Sequence, residues 1–148
     1  SHDIALDIRQ RALGPEHPYV AISINELAGL HFARGELGQA ETEYRRALAL
    51  RRRLYPQQHP YLAYSLVGLG RTLLALGRRT EAEPLLLDGY RGMKEREAAI
   101  PPDAAPRIPE SLDRLVTLYT ATSNPGEVEK WRAERAKYAG AAPAAEKK

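Results

Sequence analysis

The sequence predicts an all-α chain folded as a stack of antiparallel helical hairpins, and three observations carry that expectation. A long string recurs at 42-residue spacing, its apolar residues fall at helical intervals, and glycine interrupts each copy at the same place. HPYVAISINELAGLHFARGELGQAE, beginning at His17, returns as HPYLAYSLVGLGRTLLALGRRTEAE, beginning at His59. Pro18 matches Pro60, Tyr19 Tyr61, Ala21 Ala63, Ser23 Ser65 and Leu27 Leu69. Ala33 with Ala75, Gly35 with Gly77, Ala40 with Ala82 and Glu41 with Glu83 continue the run. A weaker third copy lies 46 residues further on, where Ser111, Leu115, Ala121 and Glu129 match Ser65, Leu69, Ala75 and Glu83. Its four extra residues fall in the proline-rich AAIPPDAAPRIP, where a loop absorbs them.

Each copy reads as two helices. Shifted back by one period, Ile4, Ala5, Leu6 and Ile8 fall opposite Arg46, Ala47, Leu48 and Leu50. Residues 1–16 are therefore expected to be the second helix of a preceding hairpin in a longer array, with Ser1 and His2 either native or a tag remnant. In residues 17–58, Ile24, Leu27, Ala28 and His31 form one helical stripe, Gly35 breaks it, and Ala40 and Tyr44 open the next. In residues 59–100 the same roles go to Leu66, Leu69, Gly70 and Leu73, to Gly77, and to Ala82 and Leu86. Residues 101–138 are a divergent third unit, with Leu112, Leu115, Val116 and Tyr119, a break from Ser123 to Gly126, and then Val128. Pro18 and Pro60 suit a first helical turn, where a missing N–H costs nothing. Small residues at 28, 40, 70 and 82 let paired helices approach closely. The second helix of the third unit carries Glu127, Glu129, Lys130, Arg132, Glu134 and Arg135, the polar outer face with which an array can stop. Residues 139–148, AGAAPAAEKK, are expected to be disordered.

Composition narrows the function. With 148 residues, 43% hydrophobic and 28% charged, the chain is one ordinary soluble domain, and a cytoplasmic location is expected. It has no cysteine, which excludes disulfides, zinc–thiolate sites and thiol nucleophiles. No apolar run approaches the roughly 20 residues of a membrane span, so no membrane partner is expected. The 22 Lys and Arg sit among 19 acids, for a formal charge of only +3. There is no Gly-rich phosphate loop, no His-Glu-x-x-His and no nucleophile elbow. Glu81 and Glu83 stand on different helix faces and cannot act as a carboxylate pair. The expectation is a non-enzymatic protein that needs no cofactor and no metal.

The large-x-x-Leu-Ala/Gly pattern of the first helices and the Ala-x-x-x-aromatic/Leu pattern of the second resemble the tetratricopeptide repeat. The 42-residue period and the strings GPEHPYVA and AEPLLL resemble its longer, kinesin-light-chain-like subclass, whose extra eight residues lengthen each helix by about one turn. Ile24, Leu66 or Leu112 stands where the usual first-helix Trp would be, and Arg132 replaces an expected aromatic. The resemblance implies a right-handed superhelical stack (an α-solenoid) whose first helices line a concave, ligand-binding groove. The stretch from Leu85 to Arg135 resembles the closing repeat of bacterial arrays that often follow a serine/threonine protein kinase domain. No kinase residue is present here.

Opposite the core stripe, each first helix carries a second one that the resemblance places in the groove. It comprises Ile22, Asn25, Gly29 and Phe32, then Tyr64, Val67, Arg71 and Leu74, then Glu110, Asp113, Thr117 and Thr120. Ile22, Phe32, Tyr64, Val67 and Leu74 form an apolar patch that either binds a ligand or packs against the neighbouring repeat. Asn25 stands where the subclass keeps an asparagine able to bond a peptide backbone, but Val67 and Asp113 break that ladder. The Lys/Asn/Arg set by which some family members clamp a C-terminal carboxylate is missing, with Arg71 alone remaining. A mostly apolar or amphipathic segment is thus the expected ligand. His17 and His59 lie roughly 20 Å apart, at two helix-packing steps, too far to share an ion, and are expected where helices begin. His31 takes a core position.

Arg45, Arg46, Arg51, Arg52 and Arg53 point around most of a helix and lack interleaved aromatics. They read as a solvated face paired with Glu41 and Glu43 rather than a nucleic-acid site. The leading expectation is a scaffold that binds a protein or peptide, within a larger bacterial signalling protein. The alternative is a self-association module, in which the chain forms a homodimer.

Overall fold

In the computed structural model, residues 17–56, 59–100 and 107–138 are described. The expectations for residues 1–16 and 139–148 lie outside them. Six α-helices and no strand occur among the described residues: α1 (Pro18–Ala33), α2 (Leu37–Leu54), α3 (Pro60–Ala75), α4 (Arg79–Glu95), α5 (Arg107–Ala121) and α6 (Pro125–Ala136). A short 3-10 turn, Glu97–Ala99, follows α4.

Helix starts follow from capping chemistry. His17 and His59 are N-caps whose Nδ1 atoms accept the backbone N–H of Tyr19 at 3.2 Å and of Tyr61 at 3.1 Å, with proline next in sequence. An imidazole nitrogen thus does what a Ser or Asp oxygen does at most helix starts. Asn124 caps α6 in the same manner, accepting from the Glu127 N–H at 3.3 Å.

The turn inside each hairpin is built three times over. Gly35 (φ 78°), Gly77 (φ 80°) and Ser123 (φ 55°) occupy the left-handed region at matched positions. At the first, Glu36 N–H bonds the His31 carbonyl at 2.8 Å and Gly35 N–H that of Phe32 at 3.0 Å. Arg78 to Leu73 and Asn124 to Tyr119, both at 2.9 Å, repeat the longer bond. This is the Schellman closure, in which the residue at C′ takes positive φ. A Cβ on either glycine would meet nothing within 4 Å, so backbone conformation rather than space selects glycine there.

Helices pair as α1 with α2, α3 with α4 and α5 with α6, and the hairpins then stack through α2 against α3 and α4 against α5. One core cluster runs from Ala28 and Phe32 through Tyr44, Leu69, Leu73, Leu86 and Met93 to Leu115, Tyr119 and Trp131. A second, between α1 and α2, holds Val20, Ala21, Ile24, Leu27, Ala47 and Leu50. The small residues work as expected: Ala28, Ala40, Ala82 and Gly70 are buried at helix contacts.

Arg45, Arg46, Arg52 and Arg53 keep the expected solvated face, and Arg51 departs from it. Arg45 pairs with Glu41 at 2.9 Å, and Arg78 pairs with Glu41 and Glu81, each at 2.7 Å, tying neighbouring hairpins together. Burial alone would raise the Glu41 pKa, but the hydrogen bonds from Arg45 and Arg78 outweigh it and hold the carboxyl below its usual value. Glu43 takes no arginine: its Oε2 is buried with no hydrogen-bond partner. Arg51 is itself buried, only 4% exposed. It follows Tyr44 by seven residues, two helical turns on the buried stripe, which places it inside. No helix among the described residues is long and apolar enough to cross a membrane.

Candidate functional site

Helices α1, α3 and α5 lie side by side, with α3 touching both neighbours, and their outward residues form one face. Two adjoining depressions run along it. One, of about 60 Å³, is lined by Asn25, Tyr44, Tyr64, Val67, Gly68, Arg71, Met93, Arg107, Glu110 and Arg114. The other, of about 260 Å³, is lined by Phe32, Arg71, Leu74, Ala75, Arg79, Arg114, Thr117 and Ala121.

The structure brings together Asn25, Phe32, Tyr64, Val67, Arg71, Leu74, Glu110 and Thr117 from the expected stripe. Ile22, a turn before Asn25 on α1, is half-buried, and Gly29 lies 3.6 Å from the Tyr44 hydroxyl, measured from an ideal Cβ. Two residues go elsewhere. The Asp113 carboxylate accepts from Arg135 Nε at 2.8 Å and so faces α6, while Thr120 lines a hollow with Pro125, Val128 and Arg132 at the far side of the third hairpin. On α5, Arg107, Arg114 and Ala121 join Glu110 and Thr117 on the face, at intervals of three and four.

The surface is less apolar than expected. Phe32 is 4% exposed and Tyr64 is 7% exposed, because an arginine lies over each ring. The Arg71 guanidinium carbon sits 3.9 Å from the Phe32 centroid, and that of Arg107 sits 4.2 Å from the Tyr64 centroid. A flat, weakly hydrated guanidinium gains from the electron-rich face of a ring. What solvent meets over these aromatics is therefore positive charge, with Val67 and Leu74 half-buried beside it. Among the described residues no carboxylate pairs with Arg71, Arg79 or Arg107.

Tyr44, Arg51 and Arg107 were not expected from the sequence to contribute to this face. Tyr44 belongs to α2, yet its ring passes between α1 and α3. A Cβ at Gly68 would lie 2.3 Å from the Tyr44 ring, so only glycine leaves room. Its hydroxyl emerges on the face and accepts from Arg71 Nη2 at 2.9 Å. Arg51 Nη1 donates to the Tyr61 carbonyl at 2.8 Å and to Ser65 Oγ at 3.0 Å, and Ser65 Oγ donates to Asn25 Oδ1 at 2.9 Å. Burial lowers the Arg51 pKa to about 10, helped by the nearby charge of Arg107 and opposed by Tyr55, so it stays charged at neutral pH. Arg107 corresponds to Tyr61 of the previous unit and lost its signal in the divergence of the third copy. Gly68 opposite a large residue was the available signal for Tyr44, and the match of Arg51 to the core residue Met93 was the signal for Arg51.

Nothing on this face combines a nucleophile with a base, and no group of three His, Asp or Glu among the described residues could hold a metal ion.

Comparison with known proteins bears on the family and the fold. The tetratricopeptide repeat profile matches residues 1–53 and 19–95. Nephrocystin-3 from Xenopus laevis is 44% identical over 43 residues, which are 29% of this chain and 3% of that protein. The crystal structure of BtubC (BKLC) from P. vanneervenii superposes with a TM-score of 0.79 at 20% identity, covering 99% of this chain and 59% of the other. A putative kinesin light chain from Podosopora anserina with nearly identical TPR-like repeats gives 0.66 at 23% identity, covering 92% and 63%. The chain spans a small fraction of its curated relatives and about three fifths of these solved ones. At such identities the structural likeness speaks for the fold alone.

Proposed function

Because this chain belongs to the tetratricopeptide repeat family, we propose that it is a non-catalytic protein-interaction scaffold that takes a peptide segment of a partner along the groove of α1, α3 and α5. Repeats of this family generally mediate protein–protein interaction. The observation that carries the reading is the run of two depressions across three helices. It mixes half-buried Val67 and Leu74 with Arg71, Arg79 and Arg107, which have no carboxylate partner among the described residues. Such a strip suits an extended or helical segment laid across successive repeats. A place within a larger, cytoplasmic, bacterial signalling protein is supported by the resemblance of residues 85–135 to kinase-linked closing repeats.

The test is selection from a random nonapeptide library on the immobilised chain, followed by hydrogen exchange with a selected peptide. New protection should concentrate on α1, α3 and α5. Protection confined to α2 and α4, or no selected peptide together with a doubled mass in light scattering, would replace peptide capture by self-association.

A further inference from the structure

We propose that the smaller depression is a subsite for the side-chain carboxylate of an internal Asp or Glu in the bound peptide, its selectivity imposed from inside the core by Arg51. The proposal rests on the groove reading above and adds what the groove recognises.

The argument starts with a buried cation. Arginine has only donors, so whatever it bonds must accept. Arg51 Nη1 bonds both the Tyr61 carbonyl and Ser65 Oγ. That carbonyl lies four residues before Ser65, so it already takes the helical N–H of Ser65. With Arg51 added, both its lone pairs are used, and the Ser65 hydroxyl proton cannot bond back to that carbonyl as buried serines often do. It goes to Asn25 Oδ1 instead, at 2.9 Å. The amide oxygen of Asn25 is thereby consumed, and its Nδ2 group, which bonds nothing among the described residues, is left as a pure donor at the rim. An asparagine with both ends free can pair with a peptide group through donor and acceptor together. Here only the donor half is on offer.

The neighbouring groups have the same polarity. Tyr44 Oη accepts from Arg71 Nη2, leaving its own proton to donate. Arg71 is held by that bond and by the Phe32 ring, and its Nε is buried with no hydrogen-bond partner. Arg107 and Arg114 line the opposite wall. Glu110 is the one acid of the lining, against three arginines. The site offers donors and net positive charge, which calls for an anionic acceptor. Its size of about 60 Å³ and the presence of Glu110 favour a planar monoanion over a bulky phosphate dianion. Its place midway along the face, between α1 and α5, favours a side chain over a chain end.

The experiment uses the library above with every peptide acetylated and amidated, so that side chains supply the only carboxylates. Selected peptides should share Asp or Glu at one internal position. By calorimetry, Glu→Gln in the peptide should weaken binding at least about tenfold. Arg71→Gln in the protein should cost as much and abolish the Glu/Gln difference. Arg51→Met copies the residue already buried at the matched position, Met93, so it should fold. It should retain overall binding yet reduce the Glu/Gln preference severalfold, because Asn25 is then free to turn. Equal affinity for Glu and Gln peptides would overturn the subsite while leaving the groove reading intact. A phosphoserine peptide bound more tightly than the Glu peptide, or a free C-terminal acid preferred over an internal one, would overturn the carboxylate assignment. Failure to select any peptide would fall on the groove reading itself.

Discussion

The first two hairpins and the third solve the same packing problem with different chemistry. In α2 and α4 the residue opposite the first helix is large and buried, Tyr44 and Leu86. The matched residue of α6 is Arg132, which is exposed. The third hairpin instead relies on Trp131, one position earlier, set edge-to-face on Tyr90 with centroids 5.4 Å apart and planes at 80°. The Trp131 Nε1–H is held by Glu127 at 2.8 Å. Polar ties do the rest. Arg135 bonds Asp113, and Tyr138 donates to Glu97 at 2.7 Å while accepting from Lys94 at 2.8 Å. Three of the side chains expected on a polar outer face, Glu127, Glu134 and Arg135, are thus turned inward as partners of Trp131, Tyr90 and Asp113.

The largest test removes Trp131. Trp131→Ala should cost about 3–5 kcal/mol, as loss of a buried Trp does. Urea unfolding followed by circular dichroism should then split, with the third hairpin melting before the other two. One transition at the wild-type midpoint would mean that Trp131 does not distinguish this hairpin.

A middle-sized effect separates the turns. Gly77→Ala forces a Cβ into the left-handed region and should destabilise by about 1–2 kcal/mol. Ser123→Gly relieves the same strain and should stabilise by up to about 1 kcal/mol, so the urea midpoints should move in opposite directions. Midpoints that move together would show that the third turn is not equivalent to the others.

The smallest effect is a pH dependence confined to the early hairpins. Burial lowers the His59 pKa, with the charges of Arg96 and Arg51 adding to it. The cap needs Nδ1 unprotonated to accept from Tyr61. Its contribution is therefore complete above about pH 6.5, the ordinary imidazole value, and is lost as pH falls through the lower folded-state value. His59→Asn keeps a capping acceptor without a titrating one. The wild type should lose more melting temperature than His59→Asn between pH 7.5 and 5.5. Parallel losses in the two proteins would show that the cap does not titrate. Asn124, which caps α6, already has the non-titrating chemistry.

By itself the sequence determined the hairpins. Glycine at positive φ, proline after a capping histidine and apolar residues at helical intervals all act within one or two turns of chain. Their effect can be read wherever the residues occur, and repetition at 42 residues multiplied the signal. The expected groove stripe on α1 and α3 was legible for the same reason, since its residues share a helix face by spacing alone. Only the tertiary structure decided the character of that face. Arg71 over Phe32, Tyr44 beside Gly68, and the relay from Arg51 through Ser65 to Asn25 join residues 14 to 40 positions apart on three different helices. Which arginine covers which ring, and which end of an amide is left free, depend on how the hairpins stack. No local periodicity encodes that, so an apolar stripe in the sequence became a donor-lined, cationic groove in the fold.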